Sequence, residues 1–158
     1  MGRFRWLLIF AALSLAPLNA LAGPMEDIGA VVDHWATAFN SNDVDALVNL
    51  YAPDAILVGT SGATLMEGSK AVRSYFARLA GSGDKVAIDN RKIDMLDDNI
   101  AYATGFYTFS AVRGGEMRKS PAGFTMVLIK RGNDWLIAHH HSSVRSGPPP
   151  TTLPVQRI

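Results

Sequence analysis

Residues 86–143 carry four long runs rich in β-branched and aromatic side chains, at 86–96, 100–112, 124–130 and 135–143. Between them stand Asp97-Asp98-Asn99, Arg113-Gly114-Gly115-Glu116 and Gly132-Asn133-Asp134, residue types that reverse a chain. Connections this short join antiparallel neighbours, because a parallel pair needs a crossover of a dozen residues or more. The second half is therefore expected to be a sheet of long antiparallel hairpins. Gly105 inside the second run marks a bend, and Pro121 ahead of the third marks a bulge or an edge.

The first half has a helical period instead. In residues 25–40 the apolar side chains Ile28, Val31, Val32, Trp35, Ala38 and Phe39 recur at intervals of three and four, leaving Asp33, His34 and Asn40 off the stripe. Asp43 can cap a second short helix carrying Val44, Leu47, Leu50 and Tyr51, which Pro53 would end. A short β-type run follows at 55–58, then the polar loop Gly59-Thr60-Ser61-Gly62. Ser69 is the expected N-cap of a third helix burying Ala71, Val72, Tyr75, Phe76 and Leu79, which Gly81-Ser82-Gly83 stops. Helices first and strands afterwards give an α+β class, N-terminal helices packed on one face of a strongly curved antiparallel sheet.

Three segments are expected. Residues 1–22 read as an export signal: Arg3 and Arg5 precede the apolar run 6–16, Pro17 breaks it, and Ala20-Leu21-Ala22 is a small-x-small cleavage pattern. That run falls well short of the ~20 residues that span a bilayer, so no stable membrane anchor is expected after cleavage. Residues 23–146 form the domain, and 147–158, opening on Gly147-Pro148-Pro149-Pro150, a tail unable to continue a strand ladder. Two of the 15 basic residues and none of the 14 acidic ones fall in the signal, so the rest is near neutral. A near-neutral chain without a lysine and arginine cluster lacks the footprint of a nucleic-acid binder. The absence of cysteine removes disulfides and thiolate metal ligands while remaining compatible with a periplasmic or secreted location.

Trp135 to Ser143, WLIAHHHSS, holds three of the four histidines. Strict alternation along a strand puts Trp135, Ile137, His139, His141 and Ser143 on one face and Leu136, Ala138, His140 and Ser142 on the other. On that reading His139 and His141 share a pocket, and His140 points outward. The pair could ligate a metal, but nothing in the sequence places a third ligand, so no metal and no cofactor is expected. No G-x-S-x-G elbow accompanies Ser142 or Ser143, and the glycine-rich turns lack a phosphate-binding pattern. Trp35, Phe39, Tyr51, Phe76, Tyr107 and Trp135 are enough aromatic volume either to fill the interior or to wall a cavity ending at the histidines.

Several strings, in order, resemble a known family. Asn40-Ser41-Asn42-Asp43 before a short helix, Leu65-Met66-Glu67-Gly68 before Tyr75-Phe76, and Trp135 with His139, His141 and Ser143 resemble the association domain of calcium/calmodulin-dependent protein kinase II and its stand-alone bacterial relatives. That group belongs to the cystatin-like, nuclear-transport-factor-like cone fold, with SnoaL-like and steroid-isomerase members. The resemblance covers about residues 25–148 and implies a cone with a pocket at its mouth and an outer sheet face for self-association, as a homodimer or larger ring. It does not extend to a kinase, for which this chain has no motif. Where the association domain carries pocket arginines, this chain holds Tyr107, Met126 and Ser142.

These readings lead to an exported, self-associating domain binding a small organic molecule in a pocket of Trp35, Phe39, Tyr51, Tyr107, Trp135, His139 and His141. Two alternatives stand beside it. One is a SnoaL-like or steroid-isomerase-like enzyme in which His139, His141 or Asp94 is the general base, since the resemblance implies a carboxylate base opposite a tyrosine. The other is a purely structural oligomer.

Overall fold

The computed structural model describes residues 23–60, 62, 64–145 and 147, so the expected export segment and the tail from Pro148 onward lie outside the described residues. Helix α1 (Pro24–Ser41) opens on Pro24 at its first turn, with Glu26 and Asp27 beside the positive end of the helix dipole. Of the predicted stripe it buries Ile28, Val31, Val32, Trp35 and Ala38, while Phe39 is half-buried. Asn42 then takes a left-handed conformation (φ 58°), and its N–H returns to the carbonyls of Ala38 and Phe39.

The Asn40–Asp43 string has a structural meaning. Asn40 pairs with the backbone of Val86 like a strand residue, its Nδ2 donating to the Val86 carbonyl at 2.9 Å and its Oδ1 accepting from the Val86 N–H at 2.7 Å. The Asn42 side chain donates to the carbonyls of Phe39 and Asp84, both at 2.9 Å, and accepts from the Gly83 N–H at 2.8 Å. Together they tie the end of α1 to the start of the sheet. Asp43 caps α2 (Val44–Val48), accepting from the Ala46 N–H at 2.9 Å.

Two expectations about the first half change. Tyr51 is not helical: strand β1 (Tyr51–Val58) starts there and runs through Pro53. Its partner register jumps between Tyr51 and Ile56, so Pro53 sits where the ladder is irregular and no N–H is demanded. Helix α3 begins at Gly68, before Ser69, and has no side-chain cap. Gly68 has φ +78°, a turn from β2 (Met66–Glu67) into α3 (Gly68–Phe76) that a side chain would strain. A 3₁₀ turn, Ala77–Leu79, extends the helix.

The four long strands are β3 (Lys85–Asp97), β4 (Ile100–Arg113), β5 (Glu116–Arg131) and β6 (Asp134–Val144), antiparallel in sequence order as expected. The sheet order is β2-β1-β6-β5-β4-β3, and β1 joins β6 in parallel, making a mixed sheet of six strands. β5 begins well before the predicted 124. Pro121 fits inside it because the β6 ladder runs out at the Ala122–Val144 pair, and Pro121 meets only the Arg145 N–H on that side, through its carbonyl.

Bulges bend the sheet. β3 carries an extra residue at Asp89 opposite Tyr107 and Phe106, and another at Leu96. A Cβ on Gly105 would lie 2.1 Å from the Asn90 carbonyl oxygen, so the close approach of β3 and β4 next to the first bulge requires glycine. β6 carries its own extra residue at Ala138, since Val127 faces His139 while Leu128 faces Ile137. The helices pack on the inner face, around Trp35, Leu47, Leu57, Val72, Tyr107, Met126, Leu128 and Ile137, all nearly inaccessible.

Candidate functional site

The bulge at Ala138 decides which histidine faces inward. An inserted residue shifts the alternation by one, so the buried sequence along β6 runs Trp135, Ile137, then His140 and Ser142. His140 is 2% exposed, whereas His139 is half-buried and His141 exposed. Cross-strand pairing puts His139 beside Val127 and Tyr102, and His141 beside Thr125 and Thr104, on the outer face. The assignment of His139 and His141 to a pocket, with His140 outward, is thus reversed.

A cavity of about 440 Å³ opens between the inner sheet face and α1 and α3. Its wall is aromatic: Trp35 and Phe39 from α1, Tyr75 and Phe76 from α3, Tyr107 and Phe109 from β4. These rings support one another. Tyr107 stacks between Trp35 (5.8 Å between centroids, 15° between planes) and Phe124 (4.9 Å, 2°), and Phe39 meets Trp35 at 5.5 Å and Phe109 at 5.3 Å. Such contacts fix ring positions beyond what burial alone does.

The polar groups fall into two sets. At the buried end, His140 and Ser142 come from β6 and Thr60 from the loop after β1, with the Thr60 and Ser142 hydroxyls hydrogen-bonded to each other. The Tyr107 hydroxyl has no hydrogen bond of ordinary geometry. Burial pushes its pKa up, and the nearby Ser142 and Thr60 hydroxyls offset that only in part. Near the surface stand Arg78, Arg113, Arg118 and Asp84. Arg113 grips Asp84 with two hydrogen bonds, at 3.0 and 2.8 Å, Arg118 reaches Glu116 at 3.0 Å, and Arg78 lies 5.3 Å from the Tyr75 ring centre.

Behind the cavity wall runs a one-way chain of hydrogen bonds. The Trp35 indole Nε1–H donates to the Tyr51 hydroxyl at 2.9 Å, and that hydroxyl lies 2.8 Å from His140 Nδ1. Indole nitrogen is only a donor, so the Tyr51 proton is free to point at His140 and Nδ1 accepts it. Burial with no countercharge lowers the His140 pKa from 6.5 to about 3, with the neighbouring His139 and His141 acting in the same direction. His140 is therefore neutral at ordinary pH, and the tautomer that pairs both Nδ1 and the Tyr51 proton carries its single proton on Nε2. Burial also pushes the Tyr51 hydroxyl well above its ordinary pKa.

Of the pocket residues expected from sequence, Trp35, Phe39 and Tyr107 line the cavity. Tyr51 stands behind His140, and Trp135 is buried beside Lys130, whose Nζ is 6.0 Å from its ring centre; neither is in the wall. Asp94 is exposed on β3, 3.4 Å from the Tyr102 hydroxyl, so none of the three expected general-base candidates reaches the cavity. The one carboxylate in the wall, among the described residues, is Asp84, and it is engaged by Arg113. No three His, Asp or Glu side chains come together as a metal site among the described residues. Sequence reasoning missed His140, Ser142, Thr60, Phe109 and the rim arginines. The turn residues Arg113 and Glu116 were visible as a hairpin, but nothing local said that β4 and β5 would extend beyond the helices and carry Arg113 and Arg118 to the rim.

Comparison with known proteins places this geometry. A protein from Xanthomonas campestris assigned to the calcium/calmodulin dependent protein kinase II association domains is 29% identical, with a TM-score of 0.72 over 87% of this chain and 99% of that one. The CaMKII hub of S. rosetta (21% identity, TM-score 0.70, 79% and 99% covered) shares the fold. So does a ketosteroid isomerase-like protein from Erwinia carotovora (18% identity, TM-score 0.68, 78% and 97% covered). No curated protein sequence matches. Other neighbours have cystatin-like folds, so the expected cone architecture is present. The SnoaL-like domain model matches residues 28–146, nearly all of the described residues, and the chain belongs to the SnoaL-like domain family.

Proposed function

We propose that this chain is an exported, self-associating protein that binds a small organic molecule with a largely apolar body. The observation that carries the reading is the aromatic cavity of about 440 Å³, within the roughly 300–1,000 Å³ range of small-molecule sites and closed at one end by a few polar groups. Supporting self-association, the outer sheet face carries half-buried Tyr102, Phe106, Val127 and Ile129, and among the described residues no helix packs there. A relative 29% identical is assigned to the association domains, which adds weight. Export rests on the pattern of residues 1–22, and a periplasmic or secreted location follows from it.

The ligand reading is tested by purifying the protein without additives and titrating apolar aromatic probes by calorimetry. Saturable binding that is weakened when Phe109→Trp narrows the cavity is the expected result. Binding unaffected by narrowing the cavity would overturn it. Sedimentation velocity at micromolar concentration tests association, where a monomer counts against it. Sequencing the N-terminus of the protein recovered from cells is expected to begin at Gly23.

A further inference from the structure

His140 stands at the buried end of the cavity. Its ring forms part of the cavity wall, its Nδ1 edge is committed to Tyr51, and its Nε2 has no hydrogen-bond partner although it is buried. A buried donor without a partner is uncommon in folded proteins, and an absent ligand group is one recognised reason for it. Because the indole that starts the chain cannot accept, the tautomer that leaves the Tyr51 proton paired makes this nitrogen a donor. The Tyr107 hydroxyl, in the same wall beside the Ser142 and Thr60 hydroxyls, makes no hydrogen bond of ordinary geometry and can supply a second proton.

We propose that the buried end of this cavity recognises a neutral carbonyl oxygen, held by the Nε2–H of His140, with the Tyr107 hydroxyl as a second donor in the same wall. This rests on the small-ligand reading and names the ligand's chemical class. A carbonyl oxygen accepts two hydrogen bonds and has no proton of its own, which suits an Nε2–H without a partner. A carboxylate placed there would be buried without a countercharge, since the arginines stand at the rim. A charged amine would likewise be buried without a countercharge, because the one wall carboxylate among the described residues, Asp84, is held by Arg113 and only hydroxyl oxygens remain to accept from it. The neutrality of His140 agrees with this: it donates without bringing a charge into the apolar cavity.

Three naphthalene probes of similar size test the proposal: 2-acetonaphthone, 2-ethylnaphthalene and 2-naphthoate. The expected result is that the ketone binds about tenfold or more tightly than the hydrocarbon, the factor that satisfying a buried donor brings, and more tightly than the acid. His140→Gln, which keeps a donor, retains part of that preference, and His140→Phe removes it. Equal binding of ketone and hydrocarbon overturns the carbonyl assignment and leaves the ligand reading intact, as does tightest binding of the acid. Binding of none of the three overturns the ligand reading itself. Independently of any variant, ¹⁵N spectra of the wild-type protein are expected to show His140 protonated on Nε2, its proton resonance moving when the ketone is added. Protonation on Nδ1, or an unmoved resonance, also overturns the carbonyl assignment.

Discussion

The Tyr51 hydroxyl lies 2.8 Å from Nδ1 of His140 and accepts the Trp35 indole proton at 2.9 Å, so one phenol satisfies two buried groups from two other elements. The phenol sits at the start of β1, the histidine on β6 and the indole on α1. Tyr51→Phe would leave both partners buried and unpaired while preserving the ring. At about 1–3 kcal/mol for each orphaned group, a loss of roughly 2–6 kcal/mol of unfolding free energy is expected in urea denaturation. A loss below about 1 kcal/mol would mean that the chain of hydrogen bonds is not formed in solution.

The same histidine makes stability depend on pH. Its pKa is about 3 when folded and 6.5 as an ordinary histidine, so between those values the unfolded chain holds a proton that the folded one does not. Stability contributed by keeping it neutral is full above about pH 6.5, declines as pH falls, and levels off near 3. The slope reaches about 1.4 kcal/mol per pH unit for this one group. Asp33, held below the usual carboxylate range by its hydrogen bonds to Arg91, adds a loss of the same sign only at lower pH, below 3.8. Denaturation curves between pH 6.5 and 4.5 should therefore fall less steeply for His140→Phe than for the wild type. Parallel curves would show that His140 is not buried neutral.

Gly105 is the position where backbone meets backbone. A Cβ there would stand 2.1 Å from the Asn90 oxygen and 2.9 Å from the Arg91 Cα, neither of which is a movable side-chain end. Gly105→Ala must therefore shift the β3 bulge, and a loss of about 2 kcal/mol or more is expected from overpacking. Gly123, opposite Phe106 on β5, is the control. Its added Cβ would meet the Phe106 ring at an ordinary 3.6 Å, and Gly123→Ala should cost less than about 1 kcal/mol. Equal effects of the two substitutions in thermal or urea unfolding would remove the argument.

These positions also show where the sequence was readable. Four long hairpin strands, the α1 stripe and the bend at Gly105 could be seen because each follows from local chemistry: turn residues, a 3.6-residue period, a lone glycine in a strand. The strand through Tyr51 could not, because its defining partner is β6, 86 residues away at Ile137, and Pro53 resembles a helix stop. The bulge at Ala138 is the same kind of omission. Both faces of residues 135–138 are apolar, so alternation offers no parity to check, and an extra residue reveals itself only in the register with Val127 and Leu128. The aromatic wall was legible in part, since large rings must be buried somewhere. Which polar groups join it depends on that one-residue shift.

The shift makes the three consecutive histidines experimentally distinct. His139 and His141 belong to the outer-face rows with Val127 and Thr125, so His139→Ala and His141→Ala should leave the affinity of the cavity for a naphthyl probe unchanged. Any effect should appear in sedimentation, where the outer face would meet a second copy. His140→Ala should instead remove part of the cavity wall and leave the Tyr51 proton without its acceptor, costing about 2–4 kcal/mol of stability and weakening the probe. Strict alternation along β6 gives the opposite ranking, with His141 the sensitive residue. Probe titration and urea unfolding of the three single variants therefore decide between a bulged and an unbulged β6. Greater sensitivity at His141 than at His140 would put the bulge, and the site built on it, in the wrong place.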